Sequence, residues 1–179
     1  MRPRYRISGL SLGVWLLLCQ VVPWSAAQTP SDRAPGAAAS AGTEVEAERA
    51  LGQLLYVPAY SHIYYYNDKR PYLLSVTLSI RNTDMKQGLR LTSVRYFDSS
   101  GTLIKEHIEQ PVRLGPLGST EFFVDQRDTA GGAGAKFLVE WQAEKPILTP
   151  IVETVMIGAS GTHGVSFVAP ARVLSTKRS

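Results

Sequence analysis

Three histidines, a few carboxylates and two glycine-rich loops are the parts of this chain whose types could do chemistry. His62, His107 and His163 are far apart, with no H-x-x-x-H or H-x-x-E-H spacing to put two of them on one helix face. A metal site would have to be assembled by the fold, with His62, Asp128 and His163 as its candidate ligands. Asp128 opens the glycine-rich stretch 128–135 and His163 lies in the second one, 158–164. A metal-handling protein or enzyme would have its site where those two loops meet. Paired carboxylates for glycoside hydrolysis could come from Asp125, Asp128, Glu140 or Glu153, but any four acids in a domain supply such a pair.

The first loop invites a phosphate-binding reading, because Gly131 to Lys136 approaches the G-x-x-x-x-G-K-[ST] pattern. It fails where the chemistry needs it. Ala135 rather than glycine precedes Lys136, and Phe137 stands where the magnesium-binding hydroxyl belongs. The residues that follow are strand-like, so no helix N-terminus points at a ligand. Gly132-Ala133-Gly134 lacks the third glycine and the βα context of a dinucleotide site. No G-x-S-x-G occurs, and Gly158-Ala159-Ser160-Gly161 has the wrong spacing for a serine nucleophile. No cofactor is implied. The loop reads as a braced turn, in which Asp125 and Asp128 accept backbone N–H bonds and Arg127 bridges both acids. Gly131, Gly132 and Gly134 shape it. With Arg127 and Asp128 they form a candidate binding surface, since loops on a rigid scaffold often carry function.

A second candidate is a row of aromatics. Tyr56, Tyr60, His62, Tyr64 and Tyr66 share one parity, so an extended chain would stripe them along one face. Such a row could stack against sugar rings or a peptide, with Tyr60, His62 and Tyr64 as the contacts. The bland alternative is that half of these rings cover one end of the domain. Pro58 cannot donate to a ladder, which places this segment on an edge or at a bulge.

The elements that must hold these residues are strands. Thr43 and Glu46 fit a capping box, and Ala47, Ala50, Leu51 and Leu54 have helical spacing, so 44–53 reads as a short helix or lead-in. From Leu54 the period is two. In 72–82, Tyr72, Leu74, Val76, Leu78 and Ile80 face one way and Ser75, Thr77, Ser79 and Arg81 the other. In 89–98, Val94 and Tyr96 point inward while Leu91 has the opposite parity, which predicts a bulge near Thr92 and Ser93. The loop 82–88 would join these two strands as a hairpin, and Asp98-Ser99-Ser100-Gly101 is a strong turn. Strands near 102–109, 120–125, 137–143, 151–158 and 165–173, with the aromatic segment 56–66, complete about eight, with no helix long enough for a crossover. A single antiparallel β-sandwich, immunoglobulin-like, over 54–174 is the economical fold, and an up-and-down β-barrel is the alternative.

The first 27 residues read as a signal peptide. Arg2, Arg4 and Arg6 precede the apolar run 10–22, and Ser25 and Ala27 fit cleavage after Ala27. Lipidation at Cys19 fits less well, because Leu18 before it is not small. Of the 19 basic residues three leave with that leader and of the 15 acidic ones none, so the remainder carries 16 against 15, a formal +1. That balance gives no case for nucleic acid. The only cysteine leaves too, which excludes a disulfide framework and a thiol nucleophile. Residues 28–43 have almost no apolar bulk to offset ordering and read as a flexible linker, and 175–179 as a tail.

Several blocks together resemble a known family. They are Tyr56-Val-Pro-Ala-Tyr-Ser-His-Ile-Tyr64, Leu78-Ser-Ile-Arg-Asn-Thr-Asp84, Thr92-Ser-Val-Arg-Tyr-Phe-Asp98, and the run from Asp128 through the glycines to Phe137-Leu-Val-Glu-Trp141. The chain resembles the bacterial exported proteins of the domain-of-unknown-function 3124 family, over roughly 54–173. The resemblance implies an envelope or secreted protein of bacterial origin and brings no reaction. Taken with the residues, it leads us to expect a periplasmic or secreted, non-enzymatic binding or accessory module of the cell envelope. Its partner would be an envelope protein or polysaccharide. No stable membrane span is expected after signal cleavage.

Overall fold

Alternating apolar and polar residues carry this chain into strands. The computed structural model describes residues 47–65, 70–160 and 162–178. The described residues all belong to one compact unit, Glu44–Ser179. The expected signal peptide with Cys19, the expected linker, the capping pair Thr43 and Glu46, and Tyr66 lie outside the described residues. The strands are β1 (Arg49–Pro58), β2 (His62–Tyr65), β3 (Arg70–Leu73), β4 (Ser75–Arg81), β5 (Leu89–Phe97) and β6 (Leu103–Glu106). They continue with β7 (Val112–Leu114), β8 (Ser119–Val124), β9 (Lys136–Leu148), β10 (Ile151–Ser160), β11 (His163–Pro170) and β12 (Arg172–Lys177). Among the described residues no helix is long and apolar enough to cross a membrane.

The domain is all-β and antiparallel. One sheet runs β12-β1-β9-β5-β6, with β7 also on β5; the other runs β11-β10-β4-β8; β2 and β3 form a two-stranded ribbon. Both large sheets end in edge strands, so the closed-barrel alternative is set aside. Val57, Val94, Phe137, Val139 and Trp141 from the first sheet and Val76, Leu78, Ile80 and Met156 from the second join one buried cluster. Each such side chain contributes roughly 1.5–3 kcal/mol by leaving water, which is what holds the layers together. The bulge anticipated from the parity of Leu91 is present, since the β5–β9 register shifts between Leu91 and Ser93. The turn 98–101 is also as expected: Asp98 Oδ1 accepts N–H bonds from Ser100 at 2.9 Å and Thr102 at 2.8 Å.

Several expectations need correction. The short helix is absent from 49–53, because that stretch is strand β1, paired with β9 and β12. Gly52 and Gln53 are buried side by side, which breaks the period of two in β1, and the extra residues at its two register shifts, beside Ala50/Gly52 and Leu54/Leu55, lie in β9 and β12. The tail likewise belongs to β12 through Lys177, and the sheet begins at Arg49 rather than at Leu54. Pro58 is not on an edge strand. It ends interior strand β1, past Tyr56 and Arg172 where β12 pairing stops, so its missing N–H interrupts no bond on that side.

The loop 82–88 is a crossover and not a hairpin, since β4 and β5 lie in different sheets. Asn82 and Asp84 hold it: Asn82 Nδ2 donates to the carbonyls of Gln87 and Gly115, both at 2.8 Å. The Asp84 carboxylate accepts N–H bonds from Lys86 at 2.8 Å, Gln87 at 2.9 Å and Leu148 at 3.2 Å. The expected strand 72–82 breaks at Leu74, and 165–173 breaks at Ala171 where the chain changes sheets.

Candidate binding site

The loop between β8 and β9 carries the chain from one sheet to the other, and its glycines are required by what lies beneath them. Ser99, in the β5–β6 turn, donates to the Gly131 carbonyl from its N–H at 3.0 Å and from its hydroxyl at 3.1 Å. The same hydroxyl accepts the Gly134 N–H at 2.9 Å. Ser61 N–H donates to Gly132 O at 3.0 Å, and Ala59 N–H to Ala135 O at 2.9 Å. Below the loop the hydroxyls of Ser61 and Tyr96 are 3.1 Å apart. A Cβ on Gly131 would stand 2.0 Å from the Tyr96 hydroxyl, and Gly132 has φ 74°, a region side chains avoid. Gly131, Gly132 and Gly134 therefore lock the loop to the β5–β6 turn and to the residues after β1. Lys136 Nζ joins the same clamp through the Asp98 carbonyl.

Arg127 bridges one acid rather than two. Its Nε and Nη2 donate to Asp125 at 3.0 and 3.3 Å, while Asp128 Oδ1 caps the turn by accepting Ala130 N–H at 3.1 Å. The Arg127 hydrogen bonds hold the Asp125 carboxyl below its ordinary pKa. Asp125 and Asp128 line a hollow of about 290 Å³ with Tyr96, Lys105, His107 and Phe123. The His107 ring packs against Phe122 at 5.4 Å, Phe137 at 5.6 Å and Tyr96 at 6.4 Å between centroids. Among the described residues its Nε2 is buried without a partner, and burial pushes its pKa down. Burial pushes the Tyr96 hydroxyl up.

The tyrosine row does not run as one stripe. The chain leaves β1 at Pro58, and Tyr60 turns inward so that its ring meets Phe167 edge-on at 5.8 Å. In the β2–β3 ribbon, His62 and Tyr64 share a face, with ring centroids 5.1 Å apart and Tyr64 56% exposed. Ile63 and Tyr65 take the other face. With Arg70, Tyr72, His163, Gly164 and Val165 they line a trough of about 570 Å³. Tyr65 meets Tyr72 edge-on at 5.6 Å, and the Tyr72 hydroxyl donates to the His163 carbonyl at 2.8 Å. Gly158 lets the ribbon approach β10, because a Cβ there would lie 2.6 Å from both Leu73 O and Tyr72 Cε1.

The proposed metal ligands are not assembled. Asp128 lines the hollow beside Tyr96 and His107, whereas His163 lines the trough. Among the described residues no group of three His, Cys, Asp or Glu side chains is placed to hold a metal ion.

The model of one protein family, described as a protein of unknown function, DUF3124, matches residues 52–174. The chain belongs to that family. No curated protein matches it. The crystal structure of Thermotoga maritima 1070 is similar at 10% identity and a TM-score of 0.42, covering 67% of this chain and 92% of that one.

In this DUF3124 domain both the trough and the clamped loop fall inside the matched span. Sequence reasoning chose one parity of the aromatic segment and missed the other, which holds Ile63 and Tyr65. The pairing of Ile63 with Tyr72 and Tyr65 with Arg70 brings those four residues together, whereas the alternation in 72–82 alone puts Tyr72 on the core face of a single long strand. The missed signal is the short spacing between two aromatic runs, which suits a hairpin better than one strand.

Proposed function

We propose that this protein is an exported, non-enzymatic binding or accessory module of the bacterial envelope, with the trough beside the β2–β3 ribbon as its binding surface. The trough carries this reading. It pairs aromatic walls, Tyr65 and Tyr72, with the polar groups of Arg70 and His163, the composition typical of ligand clefts. The leader pattern of residues 1–27 supports the envelope location. Tyr64 and His62, on the opposite ribbon face, form a second surface of the same ribbon, and Arg127 and Asp128 border the neighbouring hollow.

Two measurements test it. Mass spectrometry of the N-terminus in the periplasmic and medium fractions should find a chain beginning at Gln28; an intact leader on cytoplasmic protein would overturn the location. Retention on immobilised envelope polysaccharide and on solubilised envelope proteins should fall by about tenfold or more for Tyr65→Ala, as expected when a buried aromatic contact is truncated. Unchanged retention for both Tyr65→Ala and Tyr64→Ala would rule out the ribbon.

A further inference from the structure

β11 stands at one edge of the four-stranded sheet, with β10 on one side and, among the described residues, no strand on the other. Antiparallel alternation fixes which of its backbone groups face the open side. Ala171 N–H donates to Val152 O at 2.9 Å, and the register pairs Ala169 with Thr154 and Phe167 with Met156. Hydrogen-bonded pairs alternate with pairs whose groups point away. Val165, Phe167 and Ala169 therefore bond to β10, and Gly164, Ser166 and Val168 turn N–H and C=O outward. Pro170, with no N–H to offer, ends the row.

Open edges are usually guarded by charge. The other outer strands of the two large sheets follow that rule: β12 has Arg172 and Lys177, β8 has Glu121, β6 has Lys105 and Glu106, and β7 has Arg113. β11, with the sequence HGVSFVAP, has no Lys, Arg, Asp or Glu. Its first three residues also form a wall of the trough. On the solvent face, Val168 pairs with Val155, Val155 with Thr77, and Thr77 with Phe123, so one file crosses all four strands. Val168 is 54% and Phe123 58% exposed.

Resting on the trough as the binding surface, we propose that β11 receives an extended peptide segment of another protein as a fifth strand. The backbone of that segment bonds to Gly164, Ser166 and Val168, and one of its side chains enters the trough. A row of donors and acceptors at strand spacing selects a peptide backbone, with a pocket adding side-chain choice. The residue opposite Val168 is apolar, because it extends the exposed file. A second copy fits less well. Symmetric pairing that uses the outward groups of Gly164, Ser166 and Val168 on both strands is centred on Ser166, so it sets Gly164 opposite Val168 and leaves the exposed file without an apolar residue to extend it.

The test pans the purified protein against a displayed library of random linear peptides and synthesises those enriched. Bound peptide should slow amide exchange at Gly164, Ser166 and Val168 by more than about tenfold. Ser166→Pro removes an outward N–H and no bond to β10, and should weaken binding by about 30-fold or more. Val168→Lys places a charge on the same edge and should weaken binding as well, which keeps the test decisive if the proline variant misfolds. Failure to enrich any peptide, or equal binding by both variants, would overturn strand addition. So would a dimer in sedimentation that both variants dissociate while no peptide binds. Polysaccharide retention lost in Tyr65→Ala but kept in Ser166→Pro would also overturn it, yet leave the trough as the binding surface. If no ligand distinguishes either variant, both readings fall.

Discussion

Gly131 and Tyr96 compete for one space: a Cβ on Gly131 would lie 2.0 Å from the Tyr96 hydroxyl, with Ser61 Oγ at 2.7 Å and Ala135 Cβ at 2.8 Å. Overpacking of this kind costs about 1–3 kcal/mol, and Gly131→Ala should lower the urea midpoint accordingly with an unchanged slope. Tyr96→Phe removes the closest of the three obstacles. The loss from Gly131→Ala should therefore be smaller in the Tyr96→Phe background. Strictly additive losses would mean that the two residues do not compete.

Asp84 ties the β4–β5 crossover to β1 and β9, because its carboxylate also meets Arg49 Nη1 at 3.3 Å. The N–H groups of Lys86 and Gln87, followed by that of Leu148 and the Arg49 charge, hold its pKa below the ordinary value of 3.8. The ionised form is thus favoured by folding. The stability it contributes is present above the unfolded value and lost as pH falls through the lower folded one. Asp84→Asn should start less stable at neutral pH and lose less on acidification below about pH 4. Parallel thermal-melt curves for the two proteins across that window would exclude this role.

What could be read from the sequence was local. The parity of Leu91 located a real bulge, the alternation from Val76 to Ile80 located a core strand, and the Asp98 turn was read correctly. What escaped was set by partners distant in sequence. The break in the period of β1 at Gly52 and Gln53 goes with register shifts against β9 and β12, strands far away in the sequence. The crossover at 82–88 depends on which sheet each strand joins, and register leaves no mark in a single strand. At the candidate site the loop glycines were noticed, but only Tyr96, Ser61 and Ser99 explain them. The trough needs a hairpin to bring Ile63 against Tyr72.

His107 gives the fold a second pH response, at higher pH than that of the carboxylates. Burial, reinforced by Lys105 and partly opposed by Glu106, keeps its folded pKa below 6.5. A base with a depressed pKa stabilises the fold above its unfolded value, and that contribution fades as pH falls through the folded one. Stability should therefore decline from about pH 6.5 downward, before the carboxylates begin to titrate. His107→Phe keeps a ring against Phe122 and Phe137 and removes the titration, so its melting temperature should be flatter from about pH 6.5 to 5. A variant that tracks the native protein through that range would assign the response elsewhere.

The two tyrosines first placed on one stripe should separate in a denaturation experiment. Tyr60 packs against the core and meets Phe167, so Tyr60→Ala should cost roughly 1–3 kcal/mol. Tyr64 is 56% exposed on the ribbon, and Tyr64→Ala should stay within about 0.5 kcal/mol of the native protein. In a domain of this size 1 kcal/mol moves the melting temperature by about 2–8 °C, enough to separate the variants by calorimetry. Equal losses, or a larger one at Tyr64, would mean that the ribbon packs its His62–Tyr64 face inward and that the trough is bounded by other residues.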